Sequence, residues 1–270
     1  MRGEIVNRTA IITVVTGLLV ALTAAAAQAQ TFRAPRAADG KPNLNGIWQA
    51  LNSANWDIEG HGAQAGPPAL GAIGSIPPGM GIVEGGTIPY LPAAVAKKRE
   101  NFEKRWANDP EIKCYLPGVP RAMYMPQPFQ IIQSPQYIMM VHQYAGAVRT
   151  IYMTNHQEPP ADSWMGWSNG RWEGETLVID STGFNDLSWF DRAGNYHSDA
   201  LHVVERITAS SADHLLYEAT IEDPKVFSRP WKISMPLYRL KERNAQIMEF
   251  KCVEFTEELI YGHLRKRPTQ

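Results

Sequence analysis

The sequence predicts a mostly β protein: an antiparallel up-and-down barrel behind an N-terminal Gly/Pro-rich flap and one helix. Three observations predict it. From residue 127 onward, short runs rich in β-branched and aromatic residues alternate with turn residues. The connections between runs are mostly tight. No helical period separates them, as parallel βαβ units would require. Such a meander closes as a barrel or packs as a β-sandwich, and the sandwich is the alternative.

The elements follow in order. Arg2 and Arg8 precede an almost wholly apolar run from Ala10 to Ala27, ending in the small-x-small site Ala27-Gln28-Ala29. This is a secretory signal over residues 1–29, with a mature start at or near Gln30 and a periplasmic or secreted destination. The run ends in AQAQ, so a stable membrane anchor is not expected. Residues 30–126 form an extension. It has a polar leader, a first strand at Gly46-Ile47-Trp48-Gln49, and a flap at 57–90 too poor in large apolar groups to order itself alone. A helix spans 92–106, with Pro92 in its first turn, Val95, Phe102 and Trp106 on one face, and Asp109-Pro110 as the stop.

The barrel domain is 127–258, with a basic tail at 259–270. Strands are expected at 129–133, 137–144, 148–153, 164–172, 176–180, 201–208, 215–221, 231–240 and 246–254.

Charge excludes one class of partner. Without Arg2, Arg8 and Glu4, the 26 basic and 27 acidic residues become 24 and 26, a net charge of −2. No basic field exists, so nucleic acid is not an expected partner. Cys114 and Cys252 are the two cysteines. In an oxidising compartment an even count predicts a disulfide between them.

Two resemblances add to this. Gly46-Ile47-Trp48 on a first strand resembles the lipocalin-like (calycin) barrels, in which the Trp closes one barrel end. The resemblance implies a barrel rather than a sandwich. CYLPGVPR (114–121), GRWEGETLVIDSTGFND (170–186) and DRAGNYHSDALHVVER (191–206) resemble a group of exported bacterial proteins. That implies export and a shared β domain, and no reaction. Trp167 stands where the group is expected to carry His, so no role is transferred to that position.

Residues 164–206 concentrate the candidate chemistry. His197 is the expected acid–base group at the barrel mouth, with Asp191 or Asp199 as partner, because a carboxylate fixes the imidazole tautomer and raises its basicity. His202 and Glu205 are further candidates. The bland alternative is one exposed and one core histidine, with Asp191 as a turn former. A mouth position predicts that His197→Ala shifts stability by no more than about 1 kcal/mol. Arg121 is a candidate anion clamp, or else an ion-pair partner on the barrel rim. Trp164, Trp167, Trp172 and Trp189 are expected to line a pocket for a flat or sugar-like ligand, or to be core.

Two sets of residues offer metal ligands. His197, His202 and Glu205 offer three ligands, but on a strand residues 202 and 205 point to opposite faces. Met123, Met125, Met139, Met140 and His142 offer soft ligands for copper, although Met is more often core filler. Neither is adopted, and no cofactor is expected. Phosphate loops, dinucleotide fingerprints and G-x-S-x-G are absent, which argues against nucleotide enzymes, nicotinamide dehydrogenases and serine esterases. The sequence therefore predicts an exported enzyme acting on a small organic substrate (aromatic, terpenoid or sugar-like) by acid–base chemistry, as a lyase, isomerase or hydrolase. The alternative is a non-catalytic small-molecule carrier, whose interior would be apolar with no titratable group pointing inward.

Overall fold

The computed structural model describes residues 32–66 and 75–264. The expected signal over 1–29 lies outside them. The described residues from Arg33 onward form one compact unit. Nine strands close into a barrel in sequence order: β1 Gly46–Gln49, β2 Phe129–Gln133, β3 Tyr137–His142, β4 Val148–Tyr152, β5 Trp167–Glu173, β6 Thr176–Thr182, β7 His202–Ala209, β8 His214–Glu222 and β9 Trp231–Arg239. Among the described residues, no helix is long and apolar enough to cross a membrane.

Alternation builds the interior. Val203, Glu205 and Ile207 on β7 and Leu215, Tyr217, Ala219 and Ile221 on β8 are all buried, while their neighbours in sequence are less so. Burying the Val, Leu and Ile side chains among these contributes about 1.5–3 kcal/mol each before entropy is counted. Trp48 is fully buried where β1 meets β9. Its Nε1 donates to the Leu44 carbonyl at 3.0 Å. The Arg239 guanidinium lies 4.1 Å from the ring centroid, and its Nη1 donates to the Asn45 carbonyl at 2.9 Å. One indole and one guanidinium thus fasten the first strand to the last.

Three expectations are corrected. The meander is not wholly antiparallel, because β4 pairs with β5 in parallel at Ile151↔Ser168 and Tyr152↔Asn169. A parallel neighbour requires the chain to return to the same end, and residues 153–166 make that crossing. The stretch 246–254 is not a strand. Both edges of β9 are taken, by β8 and by β1, so no ladder remains for it. The helix is Pro92–Glu103 followed by Arg105–Asn108, and its buried residues are Ala94 and Asn101 while Val95 is exposed.

The described part of the flap is ordered by the barrel. Glu84 N–H donates to the Lys232 carbonyl, and Ser234 N–H to the Ile82 carbonyl, so the flap runs beside β9 with Val83 and Ile88 buried.

Cys114 and Cys252 form a disulfide, with Cα atoms 5.6 Å apart across 138 residues of sequence. It ties the segment after the helices to the strandless C-terminal segment, not to a last strand. A closed loop of that size removes much unfolded-state entropy. The double change Cys114→Ser/Cys252→Ser should lower unfolding free energy by about 2–4 kcal/mol. Urea unfolding under non-reducing conditions measures this, and an unchanged midpoint would refute it.

Candidate active site

Residues 188–197 form a hairpin-like turn after β6. Trp189 bridges Tyr196, and Phe190 N–H donates to the Asn195 carbonyl at 2.7 Å. Asp191 makes this turn. Its carboxyl accepts from Asn195 N–H at 3.1 Å and Asn195 Nδ2 at 2.6 Å, and from Ile58 N–H of the flap at 2.9 Å. Gly194 lies against the helix, where an added Cβ would stand 2.7 Å from Phe102 N. Asp191 is fully buried, and burial, with Asp57 nearby, pushes its carboxyl up to about 7. It is the turn former of the bland reading, and among the described residues its carboxyl bonds Asn195 and Ile58 rather than His197.

The two ends of this turn bring Ser188 and His197 together. Ser188 Oγ lies 2.8 Å from His197 Nε2. His197 Nδ1 lies 2.9 Å from the Ser198 carbonyl. A carbonyl only accepts, so Nδ1 carries the proton, and Nε2 offers its lone pair to the Ser188 hydroxyl. The Phe184 and Phe190 rings lie 6.3 and 5.3 Å from the imidazole. Burial lowers the His197 pKa and keeps the ring neutral. Ser198 is itself held by Asp223, which accepts from its backbone N–H at 2.6 Å and its hydroxyl at 2.9 Å.

Gly118 packs over the pair. Its φ is +72°, and a Cβ there would stand 2.3 Å from Ser188 Oγ and 3.3 Å from the Trp164 carbonyl. Tyr115 lies against the Trp164 ring at 5.0 Å.

The remaining sequence candidates disperse. His197 is only 3% exposed, so it is not an open mouth residue. Asp199 is solvent-facing and pairs with Lys225, not with His197. His202 stands outside the barrel between Asp180 at 3.0 Å and Glu222 at 3.4 Å. Glu205 points inward. It holds Arg149 through both carboxyl oxygens, with Arg149 Nη1 to Oε1 at 3.0 Å, and accepts from Tyr217 OH at 2.9 Å. Strand alternation therefore separates His202 from Glu205, and the set His197, His202, Glu205 does not converge. The soft-ligand set divides likewise: Met139 is exposed, while Met123, Met125, Met140 and His142 are buried.

Arg121 is not a free clamp. It is 1% exposed, and its three nitrogens donate to Asn55 at 2.8 Å, Asp109 at 3.4 Å and Glu111 at 2.7 Å. The tryptophans do not form one wall. Trp164 and Trp189 belong to the Ser188 region, Trp167 stacks on Tyr152 at 4.5 Å, and Trp172 sits at the far end of β5 opposite Leu177.

Ser188, Ser198 and Asp223 were missed by sequence reasoning. The usable signal was a serine and a histidine flanking a Gly/Asn turn whose span brings its two ends together.

No protein-family model, no curated protein and no solved structure matches this chain. The fold and the site alone define its class: a disulfide-linked, closed β-barrel protein with a buried Ser–His pair beside the barrel.

Proposed function

We propose that the protein is an exported enzyme that acts on a small organic substrate by acid–base chemistry, with His197 as the base. The observation that carries the reading is the 2.8 Å contact between His197 Nε2 and Ser188 Oγ, on an imidazole whose other nitrogen is fixed by a carbonyl. A neutral imidazole with a defined lone pair can take a proton near neutral pH. The disulfide fits an oxidising compartment and supports export to the periplasm or beyond.

The carrier reading is less well supported. It calls for an apolar interior, whereas Arg149, Glu205, Tyr217 and His142 all point inward and are buried. Phe190 and Phe184 are the rings packed on His197, while Trp164, whose carbonyl lies near Ser188, and Trp189, its neighbour in sequence, are the candidates for substrate contact.

The test is a panel of small esters, lactones and hydratable alkenes turned over by the full oxidised chain. His197→Gln should lose about 10²–10⁴-fold in turnover. Unchanged turnover by the folded variant would refute the reading. His197→Ala is a poor probe, because removing a buried ring strands the Ser188 hydroxyl and the Ser198 carbonyl. It should cost about 2–4 kcal/mol rather than the 1 kcal/mol of a mouth residue.

A further inference from the structure

We infer that Ser188 is a nucleophile and that the substrate carries a carboxylic ester or a similarly activated acyl group. The inference rests on the acid–base reading of His197. It deepens that reading by naming the substrate class.

Three features of the geometry point this way. First, Ser188 Oγ, His197 and the Ser198 carbonyl stand in the order nucleophile, base and orienting group, at 2.8 and 2.9 Å. A core histidine needs only acceptors or donors that satisfy it. This one faces a hydroxyl whose proton it can remove. Second, the orienting group is itself anchored, because Asp223 grips Ser198 at both its N–H and its hydroxyl. Third, Gly118 packs its backbone directly on Ser188, where the Cβ of any other residue would stand 2.3 Å from Oγ, so backbone rather than a side chain covers that face of the hydroxyl. The Trp164 carbonyl lies beside the same contact, and Tyr115, 46% exposed, lies against the Trp164 ring. Ser188 is 2% exposed, so the segments packed on it must part to admit an acyl group.

The chemistry closes without a further reagent except water. As the bond from Ser188 Oγ to the acyl carbon forms, the hydroxyl proton passes to His197 Nε2. The carbon–oxygen bond to the alcohol breaks, and His197 returns the proton to the departing alkoxide. Water then attacks the acyl-serine and gives its proton to His197. The carboxylic acid leaves, and the proton returns to Ser188.

The same geometry limits the leaving group. Nδ1 meets a neutral carbonyl, and the carboxylate of Asp223 lies one residue behind it. The imidazolium is therefore less stabilised than beside a carboxylate. Esters, whose leaving groups need little proton assistance, suit this site better than amides.

The experiment treats the full oxidised chain with an alkyl fluorophosphonate and maps the adduct by mass spectrometry. One adduct, on Ser188, is expected. Labelling should slow about 100-fold or more in His197→Gln and vanish in Ser188→Ala. Ser188→Cys should in turn gain a thioester-linked acetyl group from p-nitrophenyl acetate, a readout that does not depend on Ser188→Ala folding. An unlabelled Ser188 in the folded wild-type chain, or a single adduct on another serine, overturns the inference. If Ser188 stays unlabelled while His197→Gln still abolishes turnover of a panel substrate, the acyl inference fails and the acid–base reading stands. If Ser188 is labelled at the same rate in His197→Gln, both fall.

Discussion

Glu205→Ala is expected to destabilise the protein by about 5 kcal/mol or more, enough to consume much of a typical domain's stability. Glu205 and Arg149 form an ion pair inside the barrel, at 0% and 1% side-chain exposure. Arg149 also donates to Ser168 Oγ at 2.9 Å and Ser181 Oγ at 2.8 Å, and those two hydroxyls lie 3.0 Å apart. Removing the carboxylate leaves a buried guanidinium without its counter-charge, which alone costs about 3–5 kcal/mol. Tyr217 loses its acceptor as well, at about 1–3 kcal/mol. The cause separates from simple cavity formation by a second variant. Arg149→Met/Glu205→Leu removes both charges and keeps the volume, so it should be more stable than Glu205→Ala alone. Urea midpoints of the two variants decide it. If the double variant is the weaker one, the stranded charge is not the cause.

That pair also shows where sequence reading stops. The fold class was legible because burial on β7, β8 and β9 alternates with the period of a strand, and because Gly46-Ile47-Trp48 marks the strand that closes the ring. The Glu205–Arg149 contact was not legible, since it spans 56 residues and depends on both side chains facing the same lumen. The run 246–254 has strand composition but no vacant edge to pair with, a fact of closure that no local pattern carries. The parallel β4–β5 pairing was hidden for a related reason, because the path taken by residues 153–166 depends on what they cross.

At the site, His197 stood out because carboxylates flank it in sequence, and Asp191 because it follows Trp189-Phe190 in a Gly/Asn turn. Their roles separated only in three dimensions. Asp191 holds the turn, and its expected partnership with His197 passed to Ser188, a residue type too common to single out in advance.

Asp191→Asn is expected to make the protein markedly more sensitive to acid. In the fold the Asp191 carboxyl sits at about 7 instead of 3.8, chiefly through burial and then through Asp57. Between those values the folded chain holds a proton that the unfolded chain has released. The stability contributed by this group is therefore full below about pH 4 and is lost as pH rises toward 7, a span of about 4 kcal/mol. His142 works in the opposite sense. Burial, with Arg149 nearby, lowers it from 6.5 to about 3, so only the unfolded chain takes up a proton between those values. Its contribution, about 5 kcal/mol over the whole span, is present above pH 6.5 and is lost as pH falls toward 3. His197, also lowered by burial, pulls in the same direction as His142. In the wild-type chain the carboxyl and the imidazoles offset one another between pH 7 and 4. Asp191→Asn removes the group that gains on acidification, so the variant should lose about 3 kcal/mol more than wild type over that range. His142→Gln should do the reverse and hold or gain stability as pH falls. Urea midpoints at pH 4.5 and 7 for the three proteins measure the difference between slopes, which cancels every group they share. Equal slopes for wild type and Asp191→Asn would mean that the buried carboxyl does not titrate near neutrality. The flap would then be held to the turn at Ile58 by a permanent carboxylate.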